Sequence, residues 1–221
     1  MFQQTLFSNR WYFFPLIAFY IFAYYRIGMY SKVENHLFFN QLVGNRWVDV
    51  SFKYLTYLGD GLFVIFVILL WVFKNIRQAL LLCVSYMMAG GLVSVLKNYV
   101  FDVPRPSFVF NYYYKHIHVK YVEDVEVLAI NSFPSGHSTT AFVLFTFLAL
   151  NSSSHFVKFL MAFSALLVAF SRVYLSQHWI NDITAGSLVG LVITLLIYIL
   201  SQYLNWFRKI DYSLLNLLSR K

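Results

Sequence analysis

Eight residues of the types that handle phosphate gather in three short polar clusters of an otherwise apolar chain. The clusters run from Lys97 to Pro106, from Phe133 to Ser138 and from Ser171 to Asp182. Lys97, Arg105 and Arg172 supply three cations, which suit a tetrahedral dianion. Arg offers a planar fork for two phosphate oxygens, and Lys a point charge. Pro134-Ser135-Gly136-His137 puts small residues where a helix begins, and there free backbone N–H groups and the positive dipole end favour an anion. Ser135 adds a hydroxyl donor, and Gly136 lets the backbone come close to the ligand. His178 and Asp182 are four apart and would share a face if helical. Asp182 would then accept from one ring nitrogen and leave the other as a nucleophile of fixed tautomer. His137 would be the acid that protonates the leaving oxygen and the base that later activates water.

The elements that must hold these clusters are membrane helices. Of the 221 residues, 60% are hydrophobic, 21% aromatic and 12% charged, too little charge to cover a water-exposed surface. Mean hydropathy is +0.63. A bilayer core of ~30 Å needs about 20 mostly apolar residues in helix. Six runs approach that standard: 11–25, 57–73, 79–96, 138–150, 156–173 and 183–206, the fourth being short and polar at its start. The first has only ten residues before it and no small-residue cleavage signature, so it reads as a retained helix. Between the first two runs, residues 26–53 read as an interfacial amphipathic segment. Residues 101–133, with Pro104, Pro106 and the acidic cluster Glu123, Asp124 and Glu126, read as a long loop of the kind that is functional or disordered. The fold class expected is all-α: one domain over 1–221, a six-span helical bundle with its core motifs in 97–182.

Alternating the direction of six spans puts all three polar clusters on one face of the membrane. On the opposite face, with both termini, lie Arg10, Lys74, Arg77, Lys158, Arg208, Lys209, Arg220 and Lys221. The clusters' face holds the other nine basic residues, six once Lys97, Arg105 and Arg172 are set aside as site residues. That excess points to cytoplasmic termini and a site facing outward. The net charge of +8 sits mostly beside apolar runs with no long basic stretch, so anionic lipid headgroups are the expected partner and nucleic acid is not. Cys83 is the single cysteine, which excludes an intramolecular disulfide and a thiolate metal cluster. Oligomeric state is not fixed by any of these features.

The three clusters resemble the signature of the type 2 phosphatidic acid phosphatase (PAP2) family, which includes glucose-6-phosphatase and vanadium haloperoxidases. The family pattern is a Lys followed by Arg-Pro, then Pro-Ser-Gly-His, then Ser-Arg with five residues to His and three more to Asp. The second and third parts match at Pro134–His137 and at Ser171, Arg172, His178 and Asp182. The first departs: seven residues separate Lys97 from Arg105 where the common form has six, the extra one falling just before or at Pro104. The resemblance implies metal-free, cofactor-free hydrolysis of a phosphorylated lipid through a phosphohistidine at His178, with the site at the outer surface. The chain also resembles bacterial members of the membrane branch, in the cytoplasmic membrane, for which undecaprenyl diphosphate and phosphatidylglycerophosphate are the first candidate substrates, with phosphatidic acid and lipid A phosphates beside them.

Blander readings stand beside these. Lys97 and Arg172 could snorkel at helix ends, and Asp182 could be a helix-start cap. His116 and His118 would share a face on a strand, but no carboxylate or Cys pattern completes a zinc site, so they read as loop residues. His36 and His155 read as structural. Asp60, between Gly59 and Gly61, is an intramembrane acid and so a functional suspect, with a cap or turn as the plainer reading. Two other functions use the same features: lipid phosphotransfer at the same site, told apart by its product, and non-enzymatic phospholipid binding or transport. The latter would call for a repeated half or a midplane site, and the sequence has neither. A soluble haloperoxidase does not fit this hydropathy.

Overall fold

The computed structural model describes residues 2–204 and is all-helical over them. The expected run end at Trp206 and the basic residues Arg208, Lys209, Arg220 and Lys221 lie outside the described residues. In chain order the α-helices are α1 (Phe2–Ser8), α2 (Arg10–Met29), α3 (Lys32–Asn40), α4 (Arg46–Leu55), α5 (Gly61–Lys74), α6 (Ile76–Val95), α7 (Pro106–Tyr112), α8 (Gly136–Leu150), α9 (His155–Tyr174) and α10 (Ile180–Tyr203). A bilayer leaves backbone groups no water to bond, so apolar runs of this length satisfy them internally as helix.

Among the described residues, four helices are each long and apolar enough to cross a membrane: Arg10–Met29, Ile76–Val100, His155–Tyr174 and Ile180–Tyr203. The pair Arg46–Gly59 and Gly61–Lys74, bent by 55° at the break, makes a fifth if it counts as one span. Helix α8 has 15 residues, about 22 Å at ~1.5 Å per residue, short of a ~30 Å core. Its position explains its length: Ser138–Phe147 is buried throughout, enclosed by α5, α6, α9 and α10, so it does not face lipid along that stretch.

Two glycines set how closely α10 approaches α8. A Cβ on Gly186 would lie 2.4 Å from the Ser135 carbonyl oxygen, and one on Gly190 2.4 Å from that of Thr139. The small residues let the two backbones meet, and the Thr139 hydroxyl donates to the Gly186 carbonyl at 2.9 Å. Tyr12 ties α2 to α8 through a 2.6 Å hydrogen bond with Thr146. Packing here is van der Waals contact plus interhelical hydrogen bonds worth about 0.6–2 kcal/mol each.

The segment expected to be interfacial divides. Helix α2 continues past Tyr25 to Met29 because Arg26 is not left bare: its guanidinium bonds Asn35 at 2.9 Å and stacks on the Tyr30 and Phe38 rings at 4.1 and 4.2 Å. Helix α3 starts on a capping box made by Ser31 and Glu34. The long loop contains α7, opened by Pro106 at its first position.

Candidate active site

Below α6 the backbone widens into a π turn at Leu96–Val100, closed by Phe101 N–H on the Leu96 carbonyl at 2.9 Å. A π turn takes one residue more than an α turn and recurs at functional sites. The unusual Lys97–Arg105 spacing therefore coincides with a widening beside Lys97, upstream of Pro104 where the sequence comparison placed the extra residue. Lys97, half-buried in that turn, lies within electrostatic reach of Arg105, Arg172 and Asp182.

Arg105 precedes α7 and is 6% exposed. Its Nε donates to the Ile130 carbonyl at 2.7 Å, and Nη1 to the Gln177 carbonyl and side-chain oxygens at 3.0 and 3.2 Å. Trp179 Nε1 donates to the Pro104 carbonyl at 2.9 Å. These bonds fasten the first cluster to the third. The second joins through Ser135 N–H on the Asp182 carbonyl at 3.0 Å. The convergence expected from span counting thus has named hydrogen bonds behind it.

His178 and Asp182 do not share a helix face, as had been expected from their spacing. His178 lies in the turn before α10, with its N–H on the Arg172 carbonyl at 3.0 Å, and Asp182 is in the first turn of α10. The turn forms because the Trp179 N–H is taken by Asp182 Oδ2 at 3.0 Å, which starts the helix after His178 instead of before it. The pair still meets: His178 Nδ1 is 3.2 Å from Asp182 Oδ2. Asp182 is therefore both helix-start acceptor and partner of the imidazole.

Sequence reasoning missed Ser132. Its hydroxyl is fully buried, hydrogen-bonds Asp182 Oδ2 and lies 3.4 Å from His178 Nδ1. Asp182 Oδ2 so gathers Ser132, Trp179 and His178, which fixes the proton on Nδ1 and leaves Nε2 free of any hydrogen bond among the described residues. Burial holds the His178 imidazole far below its ordinary range, to about 3, against the raising influence of Asp182. At neutral pH the ring is uncharged, as a nucleophile must be.

Arg172, 8% exposed near the end of α9, donates through Nη1 to Thr56 Oγ1 at 2.7 Å, while its buried Nε has no partner among the described residues. Arg172 and His137 line a cavity of about 240 Å³ with Thr56, Tyr57, Gln177 and, toward its rim, Lys53, Asp124 and Glu126. Lys53 and Asp124, paired at 3.1 Å, also line a wider cavity of about 680 Å³ beside α4. Ser135 caps α8, its Oγ accepting from Ser138 N–H at 3.3 Å and from the Ser138 hydroxyl at 2.9 Å. Gly136 and His137 follow in the first turn, where N–H groups have no intrahelical acceptor. A Cβ on Gly136 would meet nothing within 4 Å, so that side of the backbone is open to a ligand.

The site thus draws together Lys97, Arg105, Ser135, Gly136, His137, Arg172, His178 and Asp182, and adds Ser132, Thr56 and Gln177. Gln177 sits inside the third cluster and Ser132 just before the second, so adjacency was the available signal. Thr56 carried none. Asp60 caps α5, accepting from Leu62 N–H at 2.8 Å. His118 lines a separate cavity with Lys115 and Phe110, and no group of three His, Cys, Asp or Glu placed to hold a metal ion occurs among the described residues. His36 is buried against Phe110 and Trp179 and bonds Ser176 at 3.2 Å.

The chain is 32% identical over 128 residues to "Putative undecaprenyl-diphosphatase YbjG" of Escherichia coli (strain K12), covering 57% of this chain and 59% of that protein. The chain thus matches about three-fifths of that curated relative's length. The crystal structure of Aquifex aeolicus LpxE is similar at TM-score 0.62 and 27% identity, over 75% of this chain and 93% of that one. The phosphatidylglycerolphosphate phosphatase of Bacillus subtilis, a transmembrane PAP2 type structure, shares the fold at TM-score 0.62 and 23% identity, over 86% and 97% of the two chains. The PAP2 superfamily model matches residues 78–206, more than half of the chain and all three polar clusters. The chain belongs to the PAP2 superfamily.

Proposed function

We propose that the protein hydrolyses a lipid phosphate monoester or diphosphate at the membrane surface through a phosphohistidine at His178. The observation that carries this reading is the buried Ser132–Asp182–His178 set, with Nδ1 committed to Asp182 and Nε2 free, beside Arg105, Arg172 and Lys97.

In the proposed reaction the phosphoryl group is held by Lys97, Arg105 and Arg172, by the α8 N-terminus at Gly136 and by the Ser135 hydroxyl. His178 Nε2 attacks phosphorus, the bond to the leaving oxygen breaks, and His137 gives that oxygen a proton. Water then attacks phosphorus, the P–N bond breaks, and His137 takes the proton back. Inorganic phosphate leaves and both imidazoles return to their starting states. The developing positive charge on His178 is met by the Asp182 carboxylate. The three cations neutralise the phosphoryl group, so no metal is called for, and the substrate's tail stays in the bilayer.

The E. coli relative's name carries undecaprenyl diphosphate into consideration, and phosphatidylglycerophosphate stands beside it. Six spans, with α8 as the short fourth and the bent α4–α5 region as the second, put all three clusters on one face. In a bacterial cytoplasmic membrane the charge distribution turns that face outward. Phosphate release in detergent tests the reading. His178→Ala should abolish it and EDTA should leave it unchanged; activity retained in His178→Ala, or lost to EDTA and restored by a divalent metal, overturns it.

A further inference from the structure

The bend between α4 and α5 is more than a break in a span. The short 3-10 turn Thr56–Gly59 touches the active site at both of its ends, Thr56 and Gly59, and Asp60 follows directly after it. Thr56 accepts from Arg172 Nη1. Gly59 is pressed against the start of α8: a Cβ there would lie 2.8 Å from the His137 carbonyl oxygen, 3.3 Å from the His137 Cβ and 2.8 Å from Val168. No larger residue fits without pushing His137 away. Asp60 comes next, half-buried, its Oδ1 bonded only to Leu62 N–H, and its charge reaches both His137 and Arg172.

The charges around His137 are uneven. Arg172, Lys97 and Arg105 all act on it as cations, and Asp60 is the carboxylate that acts against them. Lys53, Tyr57, Asp124 and Glu126 line the shared cavity with it, and Lys53 pairs with Asp124. Burial first, and then the three cations, make the His137 imidazole hold a proton poorly. A general acid must hold one until the leaving oxygen takes it.

We propose that Asp60 is a positioning residue of the active site, the carboxylate that keeps His137 competent as the proton donor, and that Thr56–Asp60 is a fourth active-site segment beside the three motif clusters. This rests on His137 acting as the acid in the reaction proposed above. The same carboxylate caps α5, so one side chain fixes both the bend and the charge.

The test uses full-length protein in detergent and two substrates differing in their need for a proton. Hydrolysis of a phosphate monoester of an aliphatic alcohol requires protonation of a poor leaving group, whereas p-nitrophenyl phosphate has a leaving group that departs unaided. Asp60→Asn keeps an oxygen for the Leu62 N–H and removes the charge. It should lower kcat on the alkyl ester about tenfold, and move the alkaline limb of that profile about one unit to lower pH, since one unit is a tenfold change in protonated fraction. It should change p-nitrophenyl phosphate hydrolysis by less than about twofold, and Asp60→Glu should recover part of the alkyl-ester rate. In a His137→Asn background Asp60→Asn should cost nothing more. An equal loss on both substrates with an unmoved limb means that Asp60 only caps a helix and overturns the inference while leaving the proposed reaction intact. A His137→Asn enzyme as fast as wild type on the alkyl ester overturns the acid role itself and the inference with it.

Discussion

Replacing Asp182 by Asn isolates the charge on which the proposed attack depends. Asp182 Oδ2 holds His178 Nδ1 at 3.2 Å, Trp179 N–H at 3.0 Å and the Ser132 hydroxyl, while Oδ1 is buried without a partner among the described residues. An Asn can place its oxygen where Oδ2 lies and its amide nitrogen where Oδ1 lies. The three donors keep an acceptor and the α10 start is retained, so the fold should survive with only the negative charge gone. At an effective dielectric of about 20, a full charge on the imidazole ~3.2 Å away interacts by ~5 kcal/mol. With about half of that charge developed in the transition state, ~2–3 kcal/mol is lost, on the order of a hundredfold in kcat. KM should move little, because the phosphate clamp is untouched. Asp182→Ala is the contrast: it strips three buried donors of their acceptor, at about 1–3 kcal/mol each, and should lower Tm as well as activity. The assay is phosphate release in detergent from an undecaprenyl diphosphate or phosphatidylglycerophosphate panel, with thermal unfolding alongside. An Asp182→Asn enzyme within about threefold of wild type, at unchanged Tm, would refute the claim that Asp182 stabilises a nucleophilic His178.

Arg172→Lys keeps the charge but removes the fork that binds Thr56 and leaves Nε free, so kcat/KM should fall by more than about tenfold, read by phosphate-release kinetics; a loss under threefold would mean that a point charge suffices. Gly186→Leu must force α10 off the Ser135 carbonyl, 2.4 Å from the new Cβ, and should lower Tm by several degrees together with activity, since Ser135 and Asp182 are joined by backbone at that contact; differential scanning fluorimetry decides. His178, held near 3 when folded against an ordinary value of 6.5, binds more protons when unfolded, so its contribution to stability is lost as pH falls from about 6.5 toward 3. The same depression keeps Nε2 unprotonated, so the acid limb of kcat/KM assigned to His178 should lie below about pH 5; a His178-dependent limb near 6.5 would contradict it.

Much of the site was legible because phosphate chemistry demands few residue types, and an apolar chain offers few places to put them. Arg105, His137, Arg172, His178 and Asp182 stood out as polar residues that hydropathy could not explain, and the structure brings them to one end of α8. What escaped is what depends on tertiary approach. Ser132 and Thr56 are ordinary hydroxyl residues whose partners lie 46 and 116 positions away in sequence. Helix spacing misplaced His178, because a pattern of four says nothing about where the helix starts, and Asp182 itself determines that. Hydropathy ended the first run at Tyr25, since a scale cannot see Arg26 satisfied by Asn35 and two aromatic rings. It marked the α8 run as short, but the reason for the shortness, a helix enclosed by other helices, shows only in the packing. Asp60 was readable as a cap and as a functional suspect; which group it would serve emerges only when Gly59 is seen against His137.

The most direct measurement of the central claim is to trap the covalent intermediate. Full-length protein in detergent would be mixed with radiolabelled lipid diphosphate or monoester, quenched in alkali, where phosphohistidine survives, and mapped by mass spectrometry. The account predicts label on His178, absent in His178→Ala and accumulating in a His137→Asn enzyme slowed in water attack when given p-nitrophenyl phosphate. Label on another residue, or phosphate release through His178→Ala at the wild-type rate, would contradict it.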